Sequence, residues 1–243
     1  MSIRSLTVTT FLAFSLIIIL SADLRAEYDK NKDYHSSHML INHGLNMIAD
    51  GSSIIISTDI DIKTSITQEP VDYGNEMIAL GKSFVERALK GPHMVEKHVK
   101  KKGDASDMML ATHKLGNLIL QIEYSPGILE MDLLKNSETA HNLLVIQLEA
   151  YTALMMSSQG SNMLMTGQAG WSEKYLDRFF FDQGRNMMEK AREVIFGLIN
   201  GEVMKNLAKK ELLPAEKKLY EYTKKQLINS LDISNLLIQM EFD

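Results

Sequence analysis

Two glycine-marked blocks recur along this chain at an almost constant spacing, and this internal repeat constrains the fold more than any other feature. The first block pairs residues 51–57 (Gly-Ser-Ser-Ile-Ile-Ile-Ser) with residues 160–166 (Gly-Ser-Asn-Met-Leu-Met-Thr), 109 residues later. The second block pairs Gly74 with Gly184, at a spacing of 110 residues. A repeated unit of this size buries little apolar surface alone, so the pattern predicts two diverged copies that pack against each other.

Each copy is expected to hold three helices, which gives an all-α helical bundle built from two tandem, diverged three-helix repeats. The copies cover residues 35–125 and 141–240, and residues 126–140 connect them. The apolar run at 54–56 (Ile-Ile-Ile) is by itself typical of a strand. Its counterpart at 163–165 (Met-Leu-Met) consists of good helix formers. Because one ancestral unit has one fold, both runs are predicted to be helical.

Capping residues, prolines and glycines indicate where the helices begin and end. Pro70 suits a first helical turn, and Asp104 and Ser137 are good N-caps. A break at 91–92 is followed by a short continuation to Lys102, and a kink is expected near residues 200–201. The predicted helices are 36–58, 70–90, 105–124, 138–167, 172–209 and 214–240.

Residues 1–26 have the layout of a secretory signal peptide. One positive charge in the first four residues precedes 18 uncharged residues, and the small residues Ala22 and Ala26 follow. The uncharged run is close to the shortest length that spans a bilayer, so an uncleaved anchor is the alternative. Either way, the rest of the chain is expected in an exported space, periplasmic or extracellular.

Composition excludes several classes of function. The chain has no cysteine, which rules out disulfides, thiolate metal sites and covalently attached c-type haem. The net charge of −5 points away from nucleic acid. No nucleophile elbow, phosphate-binding glycine loop or dinucleotide fingerprint is found, so no catalytic residues and no enzymatic activity are predicted. Membrane contact is expected only through an uncleaved leader.

Histidine and methionine in the first copy form the candidate site. Six of the seven histidines precede residue 126. Met39, His43 and Met47 recur every four residues, which places them along one face of a helix. Imidazole and thioether groups suit Cu(I), and two imidazoles on facing helices can ligate haem iron. We therefore predict a metal site, for copper or haem, formed by His38, Met39, His43 and His113.

Two functional hypotheses follow from these observations. In the first, the protein is an exported helical-bundle binding protein that holds a soft metal ion or haem through the first copy. In the alternative, it is a non-catalytic structural or interaction protein that meets a protein partner and carries no cofactor. Convergence of His38, His43 and His113 in one pocket would favour the first hypothesis.

Overall fold

The computed structural model describes residues 33–60, 68–91, 104–122, 137–168 and 174–242. Every regular element within these ranges is helical, and they contain no strand. The all-α prediction is therefore confirmed, including the helical conformation of residues 54–56. The helices are α1 (Asp33–Ile60), α2 (Gln68–Leu89), α3 (Asp104–Ile119), α4 (Glu138–Gln168), α5 (Lys174–Ile199), α6 (Glu202–Leu207) and α7 (Pro214–Phe242).

The two most extensive helix–helix contacts join helices that are neighbours in sequence, α1 with α2 and α4 with α5. Helices α1 and α4 also pack on each other, and α7 lies against α4, α5 and α3. The helices share one hydrophobic core, which supplies the main driving force for packing. Fully buried members of this core include Leu45, Ile48, Leu115, Leu154, Ile195 and Leu237.

Glycines bring the neighbouring helices into backbone contact. A β-carbon on Gly51 would lie 2.5 Å from the carbonyl oxygen of Gly74. A β-carbon on Gly44 would lie 2.6 Å from the carbonyl oxygen of Gly81. This second contact is seven residues from the first along each helix. The glycines in the middle of α1 therefore serve close antiparallel packing against α2.

Ser137 caps α4 as predicted and also connects α4 to α7. Its hydroxyl oxygen accepts a hydrogen bond from the Ala140 N–H at 3.1 Å and donates to Glu216 Oε1 at 2.6 Å. Glu216 Oε2 in turn accepts the Leu213 N–H at 3.1 Å, the reciprocal half of a capping box. The hydrogen bond from Ser137 lowers the pKa of Glu216, against the opposing effect of burial.

The predicted kink near residues 200–201 is a complete interruption. Helix α5 ends at Ile199 and α6 begins at Glu202, and Gly201 between them has an extended backbone (φ −67°, ψ 159°). The leader (1–26), the continuation to Lys102 and most of the connector lie outside the described residues. Among the described helices, none combines the length and the apolar character needed to cross a membrane.

Candidate functional site

His38 belongs to a buried polar contact between α1 and α4. Its side chain is 2% exposed, and its Nε2 lies 3.0 Å from Ser161 Oγ. One turn further, Asn42 Nδ2 donates to Ser161 Oγ and to Asn162 Oδ1, both at 3.0 Å. Ser158 Oγ donates to the carbonyl oxygen of Asn42 at 2.7 Å. The imidazole of His38 is thus directed at α4 and holds the two helices together.

Met39, His43 and Met47 occupy another face of α1, where all three are half-buried. Burial lowers the pKa of His43 below its ordinary value of 6.5, so the imidazole is neutral at pH 7. Asp50 continues this face seven residues after His43, and burial raises the pKa of its carboxyl group. The face therefore presents a neutral imidazole with a thioether one turn away on each side.

His113 is half-buried on α3, where Asn117 is its neighbour one turn away. The two side-chain nitrogens, Asn117 Nδ2 and His113 Nδ1, lie 3.0 Å apart. Because the amide nitrogen only donates, His113 Nδ1 accepts this hydrogen bond. Across the described residues, no three His, Asp or Glu side chains are grouped so that they could hold a metal ion. The structure thus places Met39 and His43 on one face, and pairs His38 and His113 with other residues.

Further buried polar side chains join α4 to α7. Gln147 Nε2 donates to Thr223 Oγ1 at 2.7 Å, and the hydroxyl groups of Ser157 and Ser234 lie 2.9 Å apart. Such contacts are formed only when the helices have the correct register, because an unpaired buried polar group is costly. The polar interior is therefore used for helix pairing, and these residues carry no evident chemistry.

A groove at the junction of α4, α5 and α6 is the concave feature that sequence analysis missed. Its volume is about 250 Å³. Helix α4 contributes Val145, Ile146 and Glu149 to its lining, and the end of α5 contributes Gly197 and Leu198. Ile146 is buried in the floor, whereas Glu149 is exposed at the rim. The interruption after α5 positions the third wall, to which α6 contributes Val203, 41% exposed, and the exposed Glu202.

Gly197 lines this groove and contributes no side chain to it. A β-carbon at Gly197 would meet no neighbouring atom of the described residues within 4 Å, whereas one at Gly160 or Gly184 would collide with a neighbouring backbone. Glycine inside a helix costs about 1 kcal/mol relative to alanine, and no packing contact at Gly197 requires it. The sequence feature that could have indicated the groove is Gly197 itself, shortly before the predicted kink at residues 200–201.

Comparisons with protein-family models, with curated proteins and with solved structures return no match for this chain. Its function is therefore argued from the arrangement of its own residues. Two arrangements are relevant: the groove beside Gly197, and the half-buried face that carries Met39 and His43.

Proposed function

We propose that this chain is an exported, non-catalytic interaction protein whose groove receives a side chain of a polypeptide partner. The observation that carries the proposal is the open apolar space beside Gly197, bordered by Val145, Leu198 and Val203. Apolar pockets of this kind anchor the few side chains that contribute most of the free energy of protein association.

The size of the groove favours a protein side chain over a cofactor. Small-molecule and cofactor sites generally enclose about 300–1,000 Å³ and bury most of the ligand. This groove measures about 250 Å³ and is open along one side. It has room for one or two large side chains, and it is too small and too shallow for haem. A phenylalanine that is 58% exposed, Phe196, adjoins it in sequence and adds apolar area for a larger contact.

Tandem duplication of a three-helix unit is part of this proposal. Gly51 and Gly74 touch each other, as do their predicted counterparts Gly160 and Gly184. The positions equivalent to Gly44 and Gly81 hold Ala153 and Ala191, which are small and buried. Export is proposed from the leader alone, and the N-terminal sequence of the protein recovered from the exported fraction tests both cleavage and location.

Site-specific cross-linking tests the interaction. A photoreactive phenylalanine analogue replaces the exposed Phe196, which directly precedes the lining residue Gly197, and the same analogue replaces Tyr73, 36% exposed on α2, as the control position. We expect position 196 to form a covalent adduct with a polypeptide. Gly197→Trp should abolish this adduct because the indole fills the groove, and Ser83→Trp, at an exposed position of α2, should leave it intact. Absence of an adduct at position 196, or an adduct that Gly197→Trp does not affect, would rule out the groove as the binding site.

Soft-metal binding by the first half of the chain is the second candidate function. The neutral imidazole of His43, with the thioethers of Met39 and Met47 one turn away, is the observation that favours it. The predicted site also includes His38 and His113. Anaerobic titration with Cu(I) and the absorbance spectrum after addition of haem test this candidate. Binding should be lost in Met39→Leu and His43→Gln. Protein that stays colourless and takes up neither copper nor haem would exclude it.

A further inference from the structure

We infer that the segment bound in the groove is a cationic amphipathic helix, which inserts one large apolar side chain and places lysine or arginine against Glu149 and Glu202. This inference rests on the proposed function and specifies the chemistry of the partner. An apolar floor between two rim carboxylates is complementary to a helix that carries a leucine or phenylalanine with a basic residue one turn away.

The rim carboxylates are available to a partner because neither forms an ion pair with another described residue. Elsewhere on α5, Arg178 pairs with Asp182 and Arg185 pairs with Glu189, four residues apart in each case. Within the described residues, Glu149 and Glu202 form no ion pair of this kind. Both carboxylates are exposed to solvent. They can therefore attract a cationic segment as it approaches, before any contact is formed.

Glu193 adds a third negative charge on the approach to the groove. It is exposed and lies one turn before Gly197 on the same face of α5. Val194, 43% exposed, continues the apolar surface next to it. Glu149 and Glu202 at the rim, with Glu193 nearby, thus accompany an apolar floor, and this combination favours a basic amphipathic helix over an acidic one.

The repeat-equivalent positions in the first half of the chain carry different residues. At the repeat spacing, Gly197 corresponds to Arg87 and Glu149 corresponds to Leu40. An arginine side chain takes the place of the open space, and an apolar residue takes the place of the rim carboxylate. One cationic segment per chain is therefore expected, and this stoichiometry can be measured together with affinity.

Two labelled synthetic peptides serve as probes. One is a short amphipathic helix of leucine and lysine, and the other has glutamate in place of every lysine. Fluorescence anisotropy should show one site per chain for the cationic peptide and binding at least about tenfold weaker for the acidic peptide. Gly197→Trp should weaken cationic peptide binding by about tenfold or more, whereas Ser83→Trp, at an exposed position of α2, should leave it unchanged. Circular dichroism checks that both variants fold.

Matched charge changes separate groove binding from general attraction to an acidic protein. The pair Glu149→Gln and Glu202→Gln should weaken cationic peptide binding by about three- to tenfold, because exposed ion pairs contribute modestly. The control pair Glu221→Gln and Asp232→Asn removes the same charge from exposed positions of α7 and should have little effect.

Each other outcome has a defined meaning. Cationic peptide binding that Gly197→Trp does not change would overturn the inference, as would equal effects of the two charge pairs. Equal binding of both peptides, blocked by Gly197→Trp, would refute the cationic partner but leave the groove as a polypeptide site. If neither peptide binds, the inference fails, and cross-linking at position 196 decides the proposed function independently.

Discussion

Gly160 of α4 lies directly against Gly184 of α5: a β-carbon on Gly160 would stand 2.6 Å from the carbonyl oxygen of Gly184. Neither backbone can move away without separating the two helices. We therefore expect Gly160→Ala to lower the free energy of unfolding by about 1–3 kcal/mol, despite the higher helix propensity of alanine.

Urea denaturation measures this change, with Gly197→Ala as the matched control. Because an added β-carbon at Gly197 would meet no packed neighbour among the described residues, the free energy of unfolding of the control should rise by up to about 1 kcal/mol. Equal stability of the two variants would contradict the close contact between α4 and α5.

The hydrogen-bonded pair of His38 and Ser161 predicts a measurable coupling between α1 and α4. Their side-chain atoms lie 3.0 Å apart in a buried environment. A double-mutant cycle with His38→Ala and Ser161→Ala should give a coupling energy of about 0.5–1.5 kcal/mol. The exposed pair His113 and Asn117, which joins residues of a single helix, is the control and should couple more weakly. Strictly additive losses for His38 and Ser161 would show that this contact does not hold the helices together.

His43 predicts a loss of stability in mild acid. Its pKa in the folded protein is below the ordinary value of 6.5, so the unfolded chain binds this proton more readily. The contribution of His43 is therefore fully present above pH 6.5 and is lost as the pH falls from 6.5 to the folded pKa. When unfolding is measured from pH 7.5 to pH 5, the free energy of unfolding should fall less in His43→Gln than in the wild type. His141→Gln, at an exposed position, should follow the wild type.

Asp50 predicts a change of the opposite sign with pH. Burial raises its pKa above the ordinary value of 3.8, so the folded protein binds this proton more readily. The stabilisation that comes from protonated Asp50 is present below pH 3.8, and it is lost as the pH rises through the pKa of Asp50 in the folded protein. Asp50→Asn should therefore increase stability at pH 7, by about 0.5 kcal/mol because the carboxylate is only partly buried.

Thermal unfolding at pH 7 and at pH 3 measures this gain and its disappearance in acid. Asp232→Asn, at an exposed position of α7, is the control and should shift the melting temperature at neither pH. A destabilised Asp50→Asn protein at pH 7 would mean that the charged carboxylate has a favourable partner.

Local signals in the sequence predicted most of the helices because helix ends depend on nearby residues. Ser137 was predicted to cap a helix, and its hydroxyl accepts the Ala140 N–H. Pro214 was predicted to start the last helix, and α7 begins there. The run at 54–56 looked like a strand by propensity alone and was correctly assigned through comparison with residues 163–165.

The sequence by itself determined that this chain is helical and where its helices begin, since caps, prolines and periodic apolar residues act over one or two turns. Only the tertiary structure decided which faces meet. His38 and His43 are five residues apart, about 140° around the helix, so His38 pairs with Ser161 while His43 lies on another face. Gly160 and Gly197 are both glycines within helices, yet one touches a neighbouring backbone and the other faces open space beside a groove. Contacts of this kind join residues far apart in the chain, and spacing along one helix does not specify them.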